Sequence, residues 1–125
     1  MIERAIRRYL TARLDVELTK ADLEKVTKLS FDRNQLTSVK DLEKLTQLTE
    51  LYLQYNQLTD VKGLEKLNHL KTLELSFNQL TDVKGLEKLT NLTYLSLNSN
   101  PDLTKAQIDE LQKALPKCEN KYNAK

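Results

Sequence analysis

The chain has 125 residues, a length that suits one domain with one core. Its 20 lysines and arginines stand against 18 acids for a formal charge of +2, and both signs are interspersed, so no basic stripe of the kind that binds nucleic acid emerges. No apolar run approaches the ~18 residues of a membrane-spanning helix, and the 39% hydrophobic share is low, as in a thin stack whose core is mostly leucine.

The first element predicted is an amphipathic helix: Ile2, Ile6, Leu10 and Leu14 fall four apart with Tyr9 beside them, while Arg4, Arg7, Arg8 and Arg13 lie mostly elsewhere. It is read as a cap over the open apolar end of the repeats that follow; the alternative is a basic helix lying on a membrane surface or entering a partner's groove. A second helical start comes at Thr19, where Asp22 three residues on completes a capping pattern before the first strand.

From Leu45 onward one phrase recurs with a period of 22 residues: Leu45, Leu67 and Leu89 share one position, Leu51, Leu73 and Leu95 a second, Leu53, Leu75 and Leu97 a third, and Asn56, Asn78 and Asn100 a fourth. The same register runs back through Leu23, Val26, Leu29, Phe31, Asn34, Leu36, Val39 and Leu42, so a more diverged copy precedes the obvious ones. In a Leu-x-Leu strand both leucines lie on one face. Leu51 and Leu53 therefore point inward and Glu50, Tyr52 and Gln54 outward. Strands centred on Ser30, Tyr52, Glu74 and Ser96 are expected to form one parallel sheet, because no repeat can bury its leucines alone and stacked neighbours must close the core.

The asparagines of the turn are read as scaffold, since a stacked column of buried amides can satisfy the turn backbones of its own and adjacent repeats. On the return path, Gly63 and Gly85 stand where a permissive backbone is expected, with Asp41 in that place in the first copy. Leu58, Val61 and Leu64, three apart, fit a tight 3₁₀ turn, and Glu65-Lys66 and Glu87-Lys88 read as a solvated charged back. After Asn98 the pattern breaks at Pro101; Thr104 and Gln107 then form a capping box for a helix carrying Ile108, Leu111 and Leu115, which Pro116 ends. The polar residues after Cys118 are expected to fray.

The copies read LxxLxxLxLxxNxL over about three quarters of the chain, a pattern that resembles the leucine-rich repeat. The phrases LTDVKGLEKL and LTNLTYLSL resemble the bacterial 22-residue subclass best known from the internalins. LTKADLEKVTKL resembles the end of the internalin helical cap, and the LPxC ending the C-terminal caps of bacterial relatives. The resemblance implies an α/β fold: a curved solenoid with a concave parallel β-sheet of about four strands and helical caps at both ends. The expected organisation is one domain, residues 1–125, with an N-terminal cap over 1–22, four repeats over 23–100, and a C-terminal cap and tail over 101–125.

Catalytic chemistry is not expected. His69 and Cys118, the only residues of their kinds, lie far apart in sequence with no metal-site or nucleophile context, and no cofactor or metal is implied. A single cysteine cannot form an internal disulfide, and the charged opening lacks the apolar core of a secretory signal. A cytoplasmic location is expected on those grounds, whereas analogy with the internalins would allow secretion.

Divergence between the copies concentrates on the outward positions of the strands, while the convex positions are nearly copied. The candidate binding residues are therefore Asp32, Glu50, Tyr52, Gln54, Glu74, Ser76, Tyr94 and Asn98. Tyr52 and Tyr94 are read as aromatic anchors and Glu50, Glu74 and Asp32 as charged discriminators. Tyr55 and Phe77, just after the strands, either extend this patch or stack as a pair over the loop edge. The expected role is a monomeric protein–protein interaction module whose partner is another protein, with a basic segment suited to the site, and neither nucleic acid nor membrane. Alternatives are a recognition module for a separate catalytic or signalling chain, and a membrane-surface adaptor using the first helix.

Overall fold

The computed structural model describes residues 23–121 apart from 32 and 34. The amphipathic segment, the helical start at Thr19, and the expectations for Asp32 and Asn34 lie outside those residues. Four short strands, β1 (Lys28–Ser30), β2 (Glu50–Tyr52), β3 (Thr72–Glu74) and β4 (Tyr94–Ser96), form a parallel sheet in chain order. Leu29, Leu51, Leu73 and Leu95 pair across it without a slip. The paired segments are centred on these leucines, one residue before the expected centres. The ladder nevertheless runs on, with Phe31 N donating to Tyr52 O at 2.8 Å, Leu53 N to Glu74 O at 2.8 Å and Leu75 N to Ser96 O at 2.9 Å.

The core follows from the period. Leu45, Leu48, Leu51, Leu53, Leu58, Leu64, Leu67, Leu70, Leu73 and Leu75 are completely buried in one cluster with their counterparts in the flanking copies. At ~1.5–3 kcal/mol for each fully buried leucine side chain, contacts between neighbouring copies supply most of the stabilisation.

The turn asparagines behave as scaffold. Asn78 Nδ2 donates to Leu53 O at 3.0 Å in the preceding copy and to Leu75 O at 3.1 Å in its own, while its Oδ1 accepts from Leu58 N at 3.1 Å. Asn56 and Asn100 repeat the arrangement one copy to either side. Each amide thereby joins two successive turns and leaves no buried polar group of its own unpaired.

On the convex side, three-residue 3₁₀ turns at Leu64–Lys66 and Leu86–Lys88 follow Gly63 and Gly85, whose φ angles are 101° and 107°. At Gly63 a Cβ would also lie 2.9 Å from the Cα of Lys40. The first copy, with Asp41 in the glycine's place, instead makes a five-residue 3₁₀ helix over Lys40–Lys44. The acids of this side are more than solvated charges. Glu65 Oε2 accepts from Gly63 N at 2.9 Å and Glu87 Oε2 from Gly85 N at 2.8 Å, so both carboxylates hold the turn that precedes them. Asp60 and Asp82 likewise accept from the backbone N–H of Lys62 and Lys84.

The C-terminal cap is the helix α1 (Lys105–Ala114), begun by the expected capping box: Gln107 N donates to Thr104 Oγ1 at 3.2 Å and Thr104 N to Gln107 Oε1 at 2.9 Å. Ile108, Leu111 and Leu115 close the end of the core. The tail departs from expectation. Glu119–Lys121 form a fifth parallel strand, β5, beside β4, with Glu119 N donating to Thr93 O at 2.9 Å. The turn after α1 brings the chain back to the sheet, where pairing covers an edge that β4 would otherwise leave open.

Candidate functional site

The concave face carries the side chains that alternate with the buried leucines. Because the strands are parallel and in register, they form rows across the sheet: Lys28, Glu50, Thr72 and Tyr94 in one, Ser30, Tyr52, Glu74 and Ser96 in the next. Tyr52 stands near the middle. Its hydroxyl donates to Glu50 Oε1 at 2.7 Å, and the Lys28 ammonium lies 5.7 Å from its ring centroid. Glu74 pairs with Tyr52 across the ladder, and its Oε1 accepts from Ser76 N at 3.0 Å.

These neighbours are felt in the titration of Tyr52. The hydrogen bond to Glu50 pushes the phenol above its usual value, and partial burial and the nearby Glu50 and Glu74 charges add to the shift. The ring is thus neutral at physiological pH, fixed in orientation and set among carboxylates, with a cation already on it.

The other predicted residues are less uniform. Gln54, Tyr94 and Asn98 are partly exposed, and Gln54 Oε1 is a buried acceptor with no hydrogen-bond partner among the described residues. Ser76 belongs to this face but is only 8% exposed, and Ser96 2%, so both offer a partner little surface. Small hydroxyls on a curved sheet sink between larger neighbours, which strand alternation alone does not reveal.

Just beyond the strands lies a feature that sequence left open. Tyr55 and Phe77 stack with ring centroids 4.3 Å apart and planes 9° from parallel, and the Arg33 guanidinium sits 4.1 Å from the Tyr55 centroid. Packing of the pair does not hide it, since Tyr55 remains 40% and Phe77 46% exposed. Arg33, Tyr55, Phe77 and Ser99 occupy equivalent positions, and all four have φ between 58° and 61°. Left-handed backbone of this kind costs a bulky L residue ~1–2 kcal/mol, so the fold does not favour aromatic side chains here.

Away from the concave face, a groove of about 490 Å³ separates α1 from the last return turn, between Val83, Glu87, Glu110 and Leu111. His69 is exposed in the turn between the Leu64–Lys66 3₁₀ segment and β3. Cys118 is buried, and burial, then the charge of Glu119, raises its thiol pKa. A neutral, enclosed thiol packs as a small apolar group. Among the described residues no group of three or more His, Cys, Asp or Glu side chains is placed to hold a metal, and no helix is long and apolar enough to cross a membrane.

Comparison with known proteins places this architecture. The family model described as leucine-rich repeats in two copies matches residues 24–66 and again 68–113. Among solved structures, the internalin InlF of Listeria monocytogenes superposes with a TM-score of 0.85 at 31% identity, over 98% of this chain and 35% of that one. Internalin C2 of the same species gives 0.83 at 25% identity, over 96% and 54%. InlJ, whose functional domain includes a cysteine ladder, gives 0.78 at 26% identity, over 93% and 24%. The chain thus spans between about a quarter and about half the length of these proteins. None of the curated proteins searched matches significantly. With the asparagine column, the parallel leucine sheet and the 22-residue period in place, the chain belongs to the leucine-rich repeat family and is of the bacterial internalin-like kind.

Proposed function

We propose that the chain is a binding module without catalytic activity, and that its concave face takes a basic segment of another protein. Leucine-rich repeats of this kind generally act in protein–protein interaction, which supports the broad role. The observation that carries the finer reading is Tyr52, a mid-sheet aromatic ring held by Glu50 and flanked by Glu74. Lys28 against the ring is an internal example of the contact that a partner's lysine or arginine would make.

The contrast between the two faces supports this with less force. The convex acids are copied partly because they bind turn backbone, so their uniformity has a structural cause. Tyr52 has no such duty to the backbone. Asp32, Tyr94, Gln54 and Asn98 would widen the contact, Ser76 contributing least, and the small face suits a short or flexible partner.

The test begins with a partner recovered from the native host and titrated against intact protein, Tyr52→Ala and Lys66→Ala. Truncating Tyr52 should cost ~2 kcal/mol, about thirtyfold in affinity, with the melting temperature kept. Lys66, on the convex side beside Glu43 at 3.3 Å, should have little effect. Equal affinities for the two variants would remove Tyr52 from the site.

A further inference from the structure

The row Arg33, Tyr55, Phe77 and Ser99 is a stack with two different ends. Successive copies advance along one axis, so Arg33 and Phe77 cover opposite faces of Tyr55, the guanidinium at 4.1 Å and the ring at 4.3 Å. The next member of the row is Ser99, whose side chain is too small to cover a six-membered ring. Among the described residues Tyr55 is the only ring partner of Phe77, and Phe77 is the most exposed large apolar side chain. The stack therefore stops one layer short, with an aromatic face presented on a fixed backbone.

Charge differs between the ends as well. Arg33 supplies a cation at one. At the other the chain turns sharply, Leu103 N donating to Asn100 O at 3.0 Å, and this turn carries the exposed Asp102 three residues after Ser99. Glu74 lies three residues before Phe77 in the same copy. Glu74 and Asp102 thus put carboxylates in the same copy as Phe77 and in the turn after Ser99, while two stacked rings, more than a Debye length at physiological salt, separate the outer face of Phe77 from Arg33.

We propose that the outer face of Phe77 is an arginine subsite, where a partner's guanidinium stacks as Arg33 does on Tyr55 and Asp102 provides the countercharge. Arginine suits it better than lysine because its planar guanidinium both stacks on a ring and carries charge, with less hydration to lose. The subsite rests on the reading that the chain binds a basic protein segment, and it lies apart from the Tyr52 contact. It places a second anchor beyond the strand ends, so a bound segment would run from the concave face over the turn.

Ring resonances of Phe77 report on the subsite directly. Intact protein is titrated with Gly-Arg-Gly-Arg-Gly-Arg amide and with its lysine and citrulline counterparts, and the Phe77 and Tyr52 rings are followed by NMR. The arginine peptide should shift the Phe77 ring about threefold more than the lysine peptide at equal concentration, and citrulline should shift it least. Phe77→Leu should remove the preference for arginine as read from the Asp102 and Ser99 amides. Ser99→Arg, which sets the chain's own guanidinium on the face, should block the response with folding intact. Lys66→Ala, on the convex side, should leave it unchanged. Equal Phe77 shifts from arginine and lysine, a citrulline response matching arginine, or a response surviving Ser99→Arg would each overturn the subsite. Shifts confined to the Tyr52 ring would do so too, while leaving the concave-face proposal standing.

Discussion

Tyr55 and Asn56 are neighbours in the chain, as are Phe77 and Asn78, yet the fold asks opposite things of the two columns. The asparagines are buried and identical because each amide must satisfy groups in two successive turns. The residues before them share one backbone conformation, and their side chains stand outward. Chemistry is prescribed in one column and only backbone shape in the other. A repeat scaffold can therefore vary its surface one residue away from a position it cannot change, and aromatic rings in a column that does not favour them draw attention to binding.

Breaking the prescribed column should have the largest effect. Asn78→Ala strips the buried Leu58 N–H of its acceptor and takes one donor each from the Leu53 and Leu75 carbonyls. A loss of ~3 kcal/mol in urea unfolding is expected. A loss below about 1 kcal/mol would mean that water replaces the amide and that the column is not prescribed after all.

The two glycines sharpen the comparison, since they share a backbone conformation but not a neighbourhood. Alanine at Gly63 meets both left-handed strain and the Lys40 backbone at 2.9 Å, whereas at Gly85 the nearest atom is the Glu65 Cβ at 3.4 Å. Gly63→Ala should cost ~2 kcal/mol or more and Gly85→Ala ~1 kcal/mol. Equal losses in thermal or chemical unfolding would show that conformation alone governs the site.

Phe77→Asn is expected to be the mildest change, because asparagine tolerates the left-handed region and offsets the loss of stacking. The net shift should stay within about 1 kcal/mol in either direction. A larger destabilisation would make the aromatic stack part of the scaffold and erase the difference between the columns.

Much of this was legible in the sequence. Fixed-offset leucines determine which strand face is buried, the asparagine column follows from the need to satisfy buried amides, and Thr104 with Gln107 marks the start of α1. The site was legible only as a face. Alternation separates inward from outward residues but does not show that Ser76 and Ser96 sink while Tyr52 is braced by Glu50. Nor does it distinguish a carboxylate that holds a turn, as Glu65 does, from one free in solvent.

By itself the sequence determined the period, the core, the scaffold amides and the class of fold, because each depends on spacing repeated in register. Tertiary structure decided the rest. Glu119–Lys121 pair as a strand because an open edge lies beside them, and their composition carries no strand signal. The Arg33–Tyr55–Phe77 stack depends on how closely the 22-residue offset brings successive turns together, a distance in space that no local pattern encodes.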